Sequence, residues 1–176
     1  ECAVILAGGQ ARRMGGGDKC RLPLGGVSLI ERVIDRTRPQ VQSLVLNANG
    51  EIQRFADLQL EVVQDSIADF PGPLAGVLAG MDWAAEQGHE WLISVAADTP
   101  FFPEDLVARL SQSDSPVTLA ATPDPIRGRL PQPTFGRWRV DRRDDLRASL
   151  LAGVRKIRQW PQAQGETLIL FDEDDF

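Results

Sequence analysis

Cys2-Ala-Val-Ile-Leu-Ala7 runs straight into Gly8-Gly9, and a polar, glycine-rich stretch then continues through Arg12 and Arg13 to Lys19. A short apolar segment halted by paired glycines reads as a buried strand. Downstream, Ser28-Leu-Ile-Glu31 forms a capping box. There the Ser28 hydroxyl and the Glu31 carboxylate can each satisfy a free backbone N–H at a helix start. The helix that follows carries Leu29, Ile30, Val33 and Ile34 inward and stops before Pro39. A buried strand, a glycine-rich loop and an amphipathic helix make the opening unit of a strand–helix alternation.

The rest of the chain continues that alternation. Strands are expected at Ser43–Asn47, Glu61–Gln64, Trp91–Ala97, Val117–Thr122 and Leu168–Phe171. Helices are expected around Ile52–Leu58, from Leu74 to about Gln87, at Pro103–Leu110 and at Asp144–Ala152, with Pro123–Pro133 irregular. Gly76 and Gly80 cost the Leu74–Gln87 helix about 1 kcal/mol each relative to alanine, which signals close packing or close ligand approach on that face. Strands alternating with helices imply an α/β fold: a largely parallel sheet covered by helices on both faces. Ligands bind such sheets beyond the carboxyl ends of the strands. Gly8–Lys19, Asp65–Pro73 and Asp98–Pro103 meet that condition.

Length and composition bound the function. At 176 residues the chain reads as a single domain over residues 1–176. No apolar run reaches the roughly 18 residues of a membrane span, so no membrane association is expected. Two cysteines and one histidine, His89, give neither a disulfide framework nor a histidine-rich metal site, and a reduced, cytoplasmic setting fits best. His89 reads as an ordinary surface residue. Residues 1–55 hold eight Arg or Lys against five acids, and residues 56–126 hold one Arg against twelve acids. A basic amino-terminal loop facing an acidic middle suits an anionic ligand held with a cation, and a mixed solvated surface would look the same. No basic stripe with interleaved aromatics is present, so nucleic acid is not expected as a partner.

The first loop has the composition of a phosphate cradle. Small residues at positions 7–9 leave backbone N–H groups open to phosphate oxygens, although a plain surface loop could share that composition. Lys19 is one of only two lysines among 19 basic residues, and a compact ammonium is what a phosphate contact uses. The loop is neither Gly-Lys-Ser/Thr nor G-x-G-x-x-G. Asp98 follows an apolar strand and could hold Mg²⁺ as a lone carboxylate, or cap the next helix. Asp65 could bind base or ribose, or close an Asx-turn, and Asn47 could simply favour a turn.

Leu6-Ala-Gly-Gly-Gln-Ala-Arg-Arg-Met-Gly-Gly-Gly-Asp-Lys19 resembles the first signature of the nucleotidyltransferases that act on the molybdenum cofactor. Asp65–Gly76 and Asp98–Leu106 are similar to the second and third, and Pro133–Trp138 and Leu151–Lys156 to later segments. The resemblance implies a Rossmann-like, GT-A-like nucleotidyltransferase domain that joins a nucleoside monophosphate to molybdopterin with Mg²⁺ as cofactor. Its guanylyl branch is the better match, which makes GTP and molybdopterin (the molybdenum cofactor) the implied partners, with molybdoenzymes or delivery proteins downstream. A cytidylyl transfer, a different phosphorylated acceptor and a silent nucleotide-binding homologue are the alternatives. Carried over by position, nucleotide contacts fall on Leu6, Ala7, Gly8, Gly9, Lys19, Asn47, Asp65 and Asp98. Catalytic roles fall on Lys19, Arg13 and Asp98, and the metal on Asp98. The chain departs from the pattern at Ala97, where the family commonly has Cys, and at Gln132, where it often has His. It also stops at Phe176, whereas members of the family usually continue into a further segment that the resemblance associates with the second substrate.

Overall fold

The computed structural model describes residues 1–8, 18–67 and 72–176. The first strand, β1 (Cys2–Leu6), is where the sequence places it, and it lies in the middle of a seven-stranded sheet. Its side chains alternate between two buried layers, which is why it reads as continuously apolar rather than alternating. Ala3 and Ile5 join one core, and Cys2 and Val4 join the other.

After β1 come a two-stranded hairpin, β2 (Pro23–Leu24) with β3 (Val27–Ser28), and the helix α1 (Leu29–Thr37). The capping box forms as the sequence implies: Glu31 N donates to Ser28 Oγ at 3.4 Å and Ser28 N to Glu31 Oε2 at 3.0 Å. Then follow β4 (Ser43–Asn47), a 3₁₀ turn over Ile52–Leu58, β5 (Val62–Val63), α2 (Leu74–Glu86) and β6 (Trp91–Ala96). The chain continues through α3 (Leu106–Leu110), β7 (Val117–Asp124), β8 (Gly128–Arg139), α4 (Arg143–Leu151), α5 (Gln159–Ala163) and β9 (Thr167–Leu170).

The strand order is β5-β4-β1-β6-β8-β7-β9, with β8 alone antiparallel to its neighbours. From β1 the chain builds outward to β4 and β5, and α2 then carries it back across the sheet to β6 on the other side of β1. That reversal opens a crevice above the carboxyl ends of β1 and β6. One face is covered by α1, the 52–58 turn and α3 through Ile30, Val33, Phe55 and Leu106. The other is covered by α2, α4 and α5 through Val77, Leu78, Met81, Leu146 and Trp160. Because α2 is wedged between the sheet and α4, it is buried nearly all round and has no broad polar face. A Cβ added at Gly80 would lie 2.9 Å from Val4 Cβ, so this glycine is what lets α2 settle onto β1.

Two readings are corrected. Pro123–Pro133 is not irregular: most of it belongs to the β7–β8 hairpin. Only Gly136–Arg139 of β8 pairs with β6, so Pro131 sits where the strand has a free edge and its missing N–H costs no ladder bond. A register shift at Leu119/Ala120 lets Pro133-Thr-Phe135 bulge out between the two paired stretches. The third helix begins at Leu106 rather than Pro103, after a turn. His89 is half-buried and lies 3.0 Å from Ser43 Oγ at the amino end of β4, at the opposite end of the sheet from the crevice.

Candidate active site

The parallel register aligns the residues that end the central strands. Leu6 pairs with Asn47 on one side and with Ala96 on the other. The pairing extends one residue further, with Ala7 N donating to Asn47 O at 2.9 Å and Ala97 N to Leu6 O at 3.1 Å. Gly8 thus emerges between the β4 and β6 ends. The Ala7 amide is already committed to Asn47, so the phosphate role expected of the 7–9 amides does not extend to it. Gly9, Arg12 and Arg13 lie outside the described residues.

On the β6 side, Lys19 Nζ donates to Asp98 Oδ2 at 2.9 Å, joining the first and third loops. Both groups are open to solvent, the side chains 66% and 36% exposed, and an ion pair so placed adds little to stability. The hydrogen bond from Lys19 to Asp98 raises the lysine's pKa, so the ammonium stays charged at neutral pH. Asp98 Oδ1 accepts from Thr99 Oγ1 at 3.3 Å. The helix-cap alternative for Asp98 does not hold, because the next helix starts at Leu106 with Asp105 at its cap position.

On the β4 side a second polar group forms. Asn47, buried in the strand, donates through Nδ2 to Asp65 Oδ1 at 2.9 Å and to Val63 O at 3.2 Å. Asn49 and Asp65 bond reciprocally: Asn49 Nδ2 donates to Asp65 Oδ2 and Asp65 N to Asn49 Oδ1, each at 2.9 Å. Asp65 therefore has its carboxylate clamped by two side-chain amides rather than turned back on its own backbone. A Cβ at Gly8 would lie 3.2 Å from Asn47 Oδ1, and one at Gly76 would lie 2.9 Å from Asn47 Cγ and nearer still to Oδ1. Glycine at 76 is therefore needed for the start of α2 to approach Asn47, while a side chain at Gly8 would only crowd it.

Asn49 and Arg54 were not singled out from sequence. The Asn47-Ala-Asn49 spacing was a usable signal for the first, while Arg54 is one arginine among many. Arg54 Nε donates to Asp18 Oδ2 at 2.7 Å, and Arg21 Nη1 to Asp57 Oδ2 at 2.8 Å, which fastens the segment around Lys19 to the 52–58 turn. Among the described residues no cluster of three His, Cys, Asp or Glu could hold a metal by itself. No described helix is long and apolar enough to cross a membrane.

A lysine and an aspartate thus face each other across the switch point of a mostly parallel α/β sheet, beside a clamped carboxylate, at the position where such sheets bind their ligands. Residues 3–167 match the MobA-like NTP transferase domain, and the chain belongs to that family. It is 49% identical over 162 residues to a protein of Nitrobacter hamburgensis named molybdenum cofactor guanylyltransferase, covering 89% of this chain and 76% of that one. A Rhodopseudomonas palustris protein of the same name is 46% identical over 173 residues, covering 93% and 79% of the two chains. The fold is similar to that of molybdopterin-guanine dinucleotide biosynthesis protein A from Archaeoglobus fulgidus, with a TM-score of 0.70 at 22% identity over 98% of this chain and 83% of that one.

Proposed function

We propose that residues 1–176 act as one nucleotidyltransferase domain that transfers GMP from GTP to the phosphate of molybdopterin and releases pyrophosphate. The observation that carries this reading is the Lys19–Asp98 pair at the switch point, in a chain nearly half identical to a protein named for that activity. In the reaction a pterin phosphate oxygen forms a bond to the α-phosphorus of GTP while the bond from that phosphorus to the bridging oxygen of pyrophosphate breaks. The attacking phosphate is already ionised, so no general base is required. The chain's task is to position two polyanions and offset their charge. In this reading Lys19 supplies a positive charge beside the phosphates and Asp65 accepts hydrogen bonds from the nucleoside, a role that its bonds from Asn47 and Asn49 support.

Asp98 fits Mg²⁺ in the way proteins ordinarily hold this ion, through one carboxylate with phosphate and water oxygens completing the shell. When bound, the ion would neutralise developing phosphate charge. Two free, buried thiols suit a reduced, cytoplasmic setting.

The test is pyrophosphate release with molybdopterin and each of GTP, CTP and ATP, with and without Mg²⁺. GTP should be preferred by about 5- to 150-fold, the cost of leaving one buried polar pair unmatched. Turnover with CTP equal to or above that with GTP would establish the cytidylyl alternative, and no turnover with any of them a silent homologue.

A further inference from the structure

We infer that Arg54 is a positioning residue that holds the two halves of the site, the Lys19 segment and the Asn49–Asp65 clamp, in one spatial relation. Its guanidinium is engaged on every edge. Nε and Nη2 donate to the two carboxylate oxygens of Asp18 at 2.7 and 3.3 Å, and Nη1 donates to Asn49 O at 2.8 Å and Glu51 O at 2.7 Å. One planar group therefore reaches the residue immediately before Lys19 and the backbone of the residue whose side chain grips Asp65. The plane is itself held, with its carbon 4.5 Å from the centre of the fully buried Phe55 ring. Beyond Lys19, Cys20 is buried and Arg21 donates to Arg54 O at 2.6 Å, so the lysine stands on a short arch fixed at both ends.

Lys19 is exposed and four methylenes long, so beyond its bond to Asp98 its ammonium is only as well placed as the backbone that carries it. Arg54 fixes that backbone through Asp18 and in the same act fixes the β4 end through Asn49. A lysine at position 54 could keep the charge but could not span Asp18 and two carbonyls at once, because those four contacts need a planar fork. The inference rests on the proposal that Lys19 contacts the nucleotide's phosphates, and the experiment separates the two.

Pyrophosphate release and GTP binding would be measured for Arg54→Ala, Arg54→Lys, Asp18→Asn and Lys19→Ala, and for Arg54→Ala combined with Lys19→Ala. All assays run well below each variant's melting temperature. Arg54→Ala should lower kcat/KM for GTP about tenfold, Arg54→Lys should not rescue it, and Asp18→Asn should reproduce most of the loss. In the Lys19→Ala background Arg54→Ala should cost less than half of its single-variant factor, because the charge it positions is already gone. An Arg54 that only stabilised the fold would lower the active fraction by the same factor in both backgrounds, and that additivity overturns the inference. Full activity in Arg54→Lys also overturns it. Wild-type turnover in Lys19→Ala would instead remove the phosphate role of Lys19 on which the inference rests. Should Arg54→Ala not fold, Asp18→Asn in the two backgrounds carries the same comparison.

Discussion

Replacing Gly76 with alanine adds one methyl group at the point where α2 meets the end of β4. That methyl would sit 2.9 Å from Asn47 Cγ, closer to Oδ1, and 3.0 Å from Leu6 Cδ2. The leucine methyl can give way, but the Asn47 amide cannot stay. Its departure breaks the bonds to Asp65 at 2.9 Å and Val63 O at 3.2 Å. One of these has a charged acceptor and one a neutral acceptor, together about 2–4 kcal/mol. Alanine returns at most about 1 kcal/mol of helix propensity. The net loss is about 2 kcal/mol, or about 4–8 °C in melting temperature for a chain of this size. GTP affinity should fall with it, since Asp65 loses one of its two amide clamps. The sign should reverse once Asn47 is gone: in an Asn47→Ala background, Gly76→Ala should be neutral or stabilising by up to about 1 kcal/mol. Thermal melts and nucleotide titrations on the four proteins decide it. If Gly76→Ala melts at or above the wild type, or remains as destabilising when Asn47 is absent, the steric account of this glycine is wrong.

Lys19→Ala should leave the melting temperature within a degree or two and lower turnover about 30- to 1,000-fold, the usual cost of a charged phosphate contact of about 2–4 kcal/mol. Asp98→Asn should likewise melt like the wild type, because no helix depends on Asp98 for its cap, while Mg²⁺-stimulated turnover falls; a large drop in melting temperature with turnover intact would refute that. Alkaline pH should destabilise the protein through its thiols, since burial pushes Cys2 up to about 12 and Cys20 up to about 11 from an ordinary value near 9.0. The folded chain keeps protons that the unfolded chain releases, so this contribution is complete below pH 9 and is lost as pH rises through 11 and 12. With no tyrosine and two lysines few other groups titrate there, and a urea midpoint that holds or rises between pH 9 and 11 would contradict it.

The parts of the fold legible in the sequence are those governed by short-range pattern. Gly8-Gly9 closed the expected strand Cys2–Ala7 within one residue of the end of β1, Asn47 closed β4 at its last residue, and the capping box placed the start of α1 to the residue. The apparent penalty of two glycines in α2 was legible as close packing or close ligand approach, and the Val4 contact at Gly80 shows that packing is what this glycine serves. The strand β8 was not legible, because Gly128, Pro131 and Pro133 argue locally against a strand. Its stability comes from β7 on one side and, for four residues only, from β6 on the other. A sequence window sees the prolines but not the free edge that tolerates them.

The site divides along the same line. Lys19, Asp65 and Asp98 were legible because each lies in a loop just past a strand or at the end of a glycine-rich run. What was hidden is the coupling between them. The Lys19–Asp98 bond spans 79 residues of sequence, the Arg54–Asp18 bond 36 and the Asn49–Asp65 bonds 16. All depend on three parallel strands ending at the same height, with Leu6 opposite both Asn47 and Ala96. Slipping β4 by one residue would turn Asn47 into the opposite layer and separate it from Asp65. The register is in turn enforced by apolar residues with no chemistry of their own: Val45 and Leu46 face opposite cores, and either slip would bury the wrong one. The polar contacts that define the site are therefore consequences of core packing, which explains why motif residues can be located before the fold is known while their partners cannot.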